Sequence, residues 1–593
     1  MNWDLTYLFS TLEDFEKAFN DTNEIIKKLP AYEGQLHIEA KFTEYYLNIK
    51  KISQIGYRVY QYASLLSDLN KKNQENAARL QKVQISFAMM QQVTAFEEPE
   101  LISIGQEKIM AFIDHNPVLE ETRFGFVKLF RRQEHILDQN SETLLAYYNQ
   151  LTRVGHDLYS SLTVADMEHG DVMLDDGNIV TITGSNYRAY IAKSKSAKER
   201  KDIFESVFSY YDAHKSTYAG IYNSVLQADY AHIKARKYPS SVAAALFINA
   251  IPIEVYYSLT AVARENTAAI KKYLAIRKQF LGLEEYHTYD RFLPLVKSDK
   301  EYEFAEAKQL FFDSIKQFPA DFQAKAHEVL KTGFVDVYEA EGKRSGAYSS
   351  SVSDTHPYIL LNYSKTLDDV FTVAHESGHS MHSLYAMENQ PTLLQDYTIF
   401  VAEVASTFNE HNLLDYFIKS SKASKNEKIA LLQRTIDDIL STFYRQTLFA
   451  IYELEAHKLA EQNQPITPDA LSNIMIGLYK EFYDLDLTKE EFKQYVWAYI
   501  PHLFYTPFYV YQYATSFATS LKLYENVKNN IPGAFERYLG LLKSGGSEFP
   551  VDQIKKAGVD LTQKDAFLAV AKRLAELVDQ LEVEINSKVC YNS

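Results

Sequence analysis

The segment Phe371-Thr-Val-Ala-His375-Glu376-Ser-Gly-His379-Ser-Met-His382 contains the pattern His-Glu-x-x-His. On an α-helix, residues four apart point the same way. His375 and His379 can therefore hold one metal ion between their rings, an arrangement suited to zinc. Glu376 lies about 100° further round the helix, off the ligand axis but within reach of a water on the metal. A carboxylate there can take the proton of that water and turn it into a nucleophile for hydrolysis. His382 follows His375 by seven, but it sits about 7 Å along the axis from a metal held between the other two histidines. A third histidine from this region requires a glycine that turns the chain back, and Ser380 to Tyr385 contains none. His382 is expected in the core or behind the ligands.

A third ligand must come from elsewhere. Gln395 to Glu410 reads as a second helix, with Glu403 and Glu410 seven apart and nearly on one face. Phe400, Val401, Val404, Ala405 and Phe408 flank them, so that face is largely buried. A buried carboxylate is costly unless it is paired or bound to a metal. Glu403 as ligand and Glu410 as acceptor for a metal-bound imidazole satisfy both.

These groups need two helices and a support. Pro357 to Tyr363 reads as a short buried strand. Ser364 or Thr366 can cap the motif helix, and Asp368 and Asp369 in its first turn suit the helix dipole. Leu367, Val370, Phe371 and Ala374 recur at helical spacing, and no proline interrupts before Pro391.

Three stretches resemble one family. Gly346 to Asn362, His375 to Ser383 and Phe400 to Ser406 look like the oligoendopeptidase F family, a branch of the thimet-oligopeptidase group of zinc peptidases. The likeness extends to Trp3-Asp-Leu-Thr-Tyr-Leu-Phe, to Tyr444-Arg-Gln-Thr-Leu-Phe449 and to His502-Leu-Phe-Tyr-Thr-Pro-Phe-Tyr-Val-Tyr-Gln-Tyr-Ala514. The resemblance implies a mainly α, two-lobed helical clam with a deep central cleft and a small β-sheet beside the motif helix. It implies one Zn²⁺ per chain and cleavage of short peptides, folded proteins being spared. Zinc peptidases of this general type pair substrate backbone with an edge strand beside the metal helix, a form of β-augmentation. A structural hairpin supporting the helix is the alternative.

In the family, a His and a Tyr from one loop donate hydrogen bonds to the carbonyl oxygen as negative charge builds there. His502 carries over by position. Tyr509 is the first choice for the tyrosine, with Tyr505 and Tyr511 in reserve. The competing reading is an aromatic core helix with a buried histidine. Arg445 can pair with Glu410 or form a salt bridge elsewhere.

Composition narrows the class. Lys+Arg 62 against Asp+Glu 78 gives a net charge of −16, which argues against nucleic acid and anionic membrane as partners. One cysteine, Cys590, allows no disulfide within the chain, and a reducing cytoplasm is expected. Met1-Asn-Trp-Asp-Leu-Thr offers no basic, then apolar, leader, and no apolar run reaches membrane-spanning length. Gly 20 and Pro 15 in 593 residues mean few breakers and long helices.

In chain order, helices are expected over 12–29, 35–69, 72–96, 117–137 and 142–162. Tyr45, Tyr46, Tyr57, Tyr60 and Tyr62 read as ring packing or as a peptide-contacting wall. Val172 to Thr183 carries Asp175-Asp176-Gly177 between apolar runs, a hairpin signature. A boundary is placed just after it, giving an N-terminal helical lobe at 1–185 and a catalytic lobe at 186–593. One or two long helices are expected over 194–237, one over 426–462, and a frayed tail over 588–593.

The resulting expectation is a zinc-dependent endopeptidase acting on short unfolded peptides, with His375, His379 and Glu403 on the metal, Glu376 as proton carrier, and His502 and Tyr509 as donors. Trimming of dipeptides from one terminus is the alternative enzyme. A helical peptide-binding protein that lacks catalysis is the alternative outside enzymology. No feature fixes an oligomeric state, and a monomer is admitted.

Overall fold

In the computed structural model, which describes residues 3–297, 300–419 and 424–587, the scarcity of glycine and proline has its expected effect. The structure is 71% helical, and among the described residues there are two small sheets. The tail at 588–593, with Cys590, lies outside the described residues. Among the described residues no helix is long and apolar enough to cross a membrane.

Strands β1 (Asp171–Met173) and β2 (Ile179–Thr181) form the hairpin that the Asp-Gly signal predicts, with Val172 opposite Val180. Gly177 takes φ +85° at its turn, a conformation that costs glycine little. Strands β3 (Val335–Asp336), β4 (Tyr348–Ser350) and β5 (Tyr358–Leu360) make the second sheet in the order β3-β5-β4. β5 is central, parallel to β3 and antiparallel to β4.

The chain divides into two units, each assembled from three segments. The first holds residues 1–134, 299–419 and 519–559; the second holds 135–298, 420–518 and 560–593. This differs from a division near residue 185. The hairpin lies inside the second unit, because a turn signal marks a local reversal of the chain, whereas a unit is defined by contacts distant in sequence.

In the first unit, Leu12–Ile26 starts at a capping box of Thr11 and Asp14. Glu39–Lys51 continues through one wider π turn at Ile52–Gly56 into Tyr57–Leu69. A core of Leu29, Phe42, Tyr45, Ile109, Ile113 and Phe126 closes around these helices. The tyrosine stretch divides: Tyr45 and Tyr46 are buried, with both hydroxyls on Glu97, while Tyr57 and Tyr60 are exposed. The start of the chain braces the second sheet. Trp3 Nε1 donates to the Ile359 carbonyl at 2.8 Å, its ring meets Tyr358 edge-on, and the Tyr358 hydroxyl donates to the Asp4 carbonyl.

In the second unit, the run expected at 194–237 is two helices, Ala197–Ala213 and Lys215–Ala235. The run expected at 426–462 is Lys425–Ile439 and Arg445–Glu461, joined by another π turn at Leu440–Tyr444. Tyr222, Tyr256, Tyr452 and Trp497 are fully buried there.

Candidate metal centre

The motif helix runs Leu367–Asn389. Thr366 caps it: its hydroxyl accepts from the Asp369 amide, and Asp369 returns bonds to the amides of Thr366 and Ser364. The second helix runs Ile399–Lys419, starting four residues later than its pattern suggests. The two pack along their length. Gly378 permits the approach, since a Cβ there would lie 2.5 Å from both the Ala405 carbonyl oxygen and the Ser406 Cα. Asn409 Nδ2 donates to the Ala374 carbonyl at 3.1 Å, locking the register between the helices.

That register brings His375, His379 and Glu403 together, with one donor atom from each within 4.8 Å of the others; among the described residues no other such group occurs. His375 Nε2 and His379 Nε2 are 3.1 Å apart, and each lies 3.4 Å from Glu403 Oε2. Two imidazole nitrogens and a carboxylate oxygen pointing at one small volume are a donor set that could hold a metal ion. Glu410 completes the arrangement behind it: His375 Nδ1 lies 2.7 Å from Glu410 Oε1, which fixes that nitrogen as the donor and turns Nε2 toward the shared volume. Ser406 Oγ donates to Glu403 Oε2 at 3.0 Å.

The electrostatics follow from crowding. Burial alone would push His375 down, but the bond to Glu410 and the nearby Glu403 raise it to about 9. Burial opposes the charge on Glu403, yet His379 hydrogen-bonded to it, together with His375, holds its carboxyl at about 2. Opposite charges thus face each other where a cation and three ligands would stand. Burial pushes the Glu376 carboxyl up, against the pull of His375 and His379. Glu376 is 5% exposed, and its Oε2 has no partner among the described residues. A buried carboxyl oxygen without a donor is costly and suits a group that exchanges protons with something not yet bound.

His382 stands apart from the three. It is buried, both ring nitrogens lack partners among the described residues, and it stacks flat on Tyr397 at 3.6 Å. Burial holds its imidazole down at about 3. It is a neutral wedge behind the helix. The edge strand β4 meets the motif helix through Ser349 Oγ and Ser380 Oγ, 2.8 Å apart.

The loop at Pro501 to Pro507 belongs to the second unit. The rings of His502 and Tyr509 lie nearly parallel at 5.7 Å, and both are half-buried. Burial pushes the His502 imidazole down, so it is neutral. Tyr505 packs against His156 and Tyr159. Tyr511 is buried against Tyr256, which makes it a core residue. Phe508, at φ +56°, is held by its amide donating to Glu453 Oε1 at 2.7 Å, which sets the residue next to Tyr509. Arg445 does not pair with Glu410. It donates to the Tyr479 hydroxyl at 3.3 Å and lies over the Phe449 ring, while Glu410 is taken by His375. Helical spacing alone cannot tell which unit a helix will join.

The sequence pattern missed Gly378, Asn409, Ser406 and Tyr397. Gly378 carried a signal, a glycine inside an otherwise uninterrupted helix, which marks close approach of another backbone.

Comparison with known proteins agrees with this architecture. The model of peptidase family M3 matches residues 190–572, and that of oligopeptidase F matches 100–169. The chain belongs to peptidase family M3, and it is a peptidase. It is 32% identical to oligopeptidase PepF of Bacillus subtilis over 98% of this chain and 86% of that one. It is 33% identical to the group B oligopeptidase PepB of Streptococcus agalactiae over 97% of this chain and 96% of that one. Among solved structures, oligoendopeptidase-F from Enterococcus faecium superposes with a TM-score of 0.76 at 25% identity, covering 97% of this chain and 99% of that one.

Proposed function

We propose that the chain is a zinc-dependent endopeptidase that hydrolyses internal bonds of short, unfolded peptides in the cytoplasm. One observation carries this reading: His375, His379 and Glu403 converge from two helices on a single volume, with the unpartnered Glu376 carboxyl beside them. When bound there, zinc supplies Lewis acidity toward a carbonyl oxygen and lowers the pKa of water. Glu376 takes a proton on Oε2 from the attacking water and passes it to the departing amine. Glu410 holds His375 in the tautomer that offers Nε2. His502 and Tyr509 donate to the carbonyl oxygen as it gains charge. The outer edge of β4, the strand at one side of its sheet, accepts peptide backbone without reading side chains, which suits broad specificity.

The test is cleavage of an internally quenched peptide with metal analysis of the same preparation. Chelator abolishes cleavage and zinc restores it. Glu376→Gln retains the metal and loses about a thousandfold or more in rate. A Glu376→Gln enzyme of ordinary activity overturns the mechanism. Fragment masses showing only dipeptides released from one end favour terminal trimming instead.

A further inference from the structure

The second unit contains a cavity of about 1240 Å³, of whose lining the reaction above uses only His502. Small-molecule sites are roughly 300–1,000 Å³, so this one has room for several residues of a peptide. Its walls include Tyr159, Tyr211, Phe449 and Tyr499, and three arginines line it: Arg188, Arg291 and Arg445.

Arg188 is exposed and Arg291 and Arg445 are half-buried, all three turned to the cavity. Among the described residues none of the three forms an ion pair with an acid. Arg188 donates to the hydroxyls of Tyr187 and Tyr499, and Arg445 to that of Tyr479. Arg291 lies over the Phe292 ring. Each guanidinium carries five N–H donors, so most of that capacity is unspent. Burial, with Arg445 close by, pushes Arg291 down. Lys493 lies buried over the rings of Phe204, Phe208 and Tyr479, where burial pushes its ammonium well down. The acids at the cavity are already engaged: Asp437 accepts from the Tyr273 hydroxyl at 2.8 Å, and Asp438 accepts from Thr442 Oγ1 at 3.2 Å.

Neighbouring residues show what a structural arginine looks like here. Arg277, 0% exposed, donates through Nη2 to the carbonyls of Asp290, Arg291 and Leu293. Arg200 Nε bonds Asp290 at 2.7 Å, buried on both sides. Two satisfied arginines thus clamp the loop that presents an unsatisfied one. In a chain of net charge −16, a cavity whose three arginines form no ion pair and outnumber its two acids, Asp437 and Asp438, is locally positive against the whole.

We infer that this cavity binds the free C-terminal carboxylate of a peptide, with the guanidiniums of Arg188, Arg291 and Arg445 around the oxygens and the last side chains on the tyrosine and phenylalanine walls. Arginine forks fit a carboxylate in two-point fashion, and stacked aromatics accept apolar side chains of many shapes. Pro501, His502 and Tyr505 line the same cavity, so the proposed donor loop closes one of its sides. The choice of a peptide rests on the peptidase reading; the choice of an anion does not.

The test is titration calorimetry on the full-length Glu376→Gln chain, which reads binding without turnover. The probes are Ala-Ala-Ala-Phe as the free acid, the same peptide as its C-terminal amide, the amide with glutamate in place of the third alanine, and inorganic phosphate. The acid is expected to bind about tenfold or more tightly than the neutral amide, the size of a lost charge-assisted hydrogen bond. Arg291→Met with Arg445→Met should reduce the acid to the level of the amide while Tm stays level or rises, because two half-buried cations that repel each other are removed. A fall in Tm with the acid preference intact makes these arginines structural and overturns the site. Equal binding of acid and amide overturns it too, as does phosphate competing as well as the acid does. An amide restored by glutamate to the affinity of the acid overturns the C-terminal assignment. Failure of the wild-type enzyme to cleave any of these peptides bears on the peptidase reading alone.

Discussion

Nδ1 of His375 and Oε1 of Glu410 are 2.7 Å apart, two residues from different helices joined by one short bond. The bond decides which imidazole nitrogen faces the metal volume. Glu410→Ala should leave fold and ligands in place but lower metal affinity roughly 10–100-fold, the usual loss when such an orienting acceptor is removed. Competition against a chromophoric chelator measures it; unaltered affinity would mean that the ring is held by packing alone.

Gly378 sets the spacing of the two helices. A methyl group there meets backbone atoms of Ala405 and Ser406 at 2.5 Å, and backbone does not yield cheaply. Gly378→Ala is expected to cost about 1–3 kcal/mol by overpacking and to part His379 from Glu403. Tm and zinc content per chain should fall together.

Glu453 gives a pH dependence with a definite sign. It is 1% exposed, and burial pushes its carboxyl up to about 8, against the pull of His457 and the bond from the Phe508 amide, with Asp229 nearby adding to the rise. In the unfolded chain it ionises near 4.5. Between these values the folded chain holds the extra proton, so stability declines as pH rises from about 4.5 to 8 and then levels off. At about 1.4 kcal/mol per unit the effect is several kcal/mol. Glu453→Gln keeps an acceptor for Phe508 and removes the titration; its Tm should fall less steeply across that range. Parallel profiles for both proteins would place the ionisation elsewhere.

The donor roles separate by kinetics. His502→Ala and Tyr509→Phe should each lower kcat by about a hundredfold with smaller changes in KM. Tyr511→Phe, at a core position, should leave kcat alone. If Tyr505→Phe carries the loss and Tyr509→Phe does not, the tyrosine assignment moves.

The legible parts were those governed by local rules. The motif helix follows from its cap and its apolar spacing, the hairpin from Asp-Gly, and the Glu403 and Glu410 face from a seven-residue interval flanked by Phe400 and Phe408. What local pattern could not reach was assembly. Whether Arg445 meets Glu410 depends on which unit each helix joins, and periodicity is blind to that. The three arginines were invisible for the same reason: Arg188, Arg291 and Arg445 are far apart in sequence and share no motif. Tyr511 looked equivalent to Tyr509 until packing against Tyr256 set it inward.

Five crossings between the units have a consequence for biosynthesis. The motif helix packs against Ala534–Lys543, which is translated some 150 residues later. The second unit likewise waits for Asp565–Asn586, which packs on Lys425–Ile439. A nascent chain therefore carries its histidines out of the ribosome long before the helix that packs behind them exists. Hydrolytic competence is withheld until those later helices have been made, which spares the growing polypeptide a half-built protease.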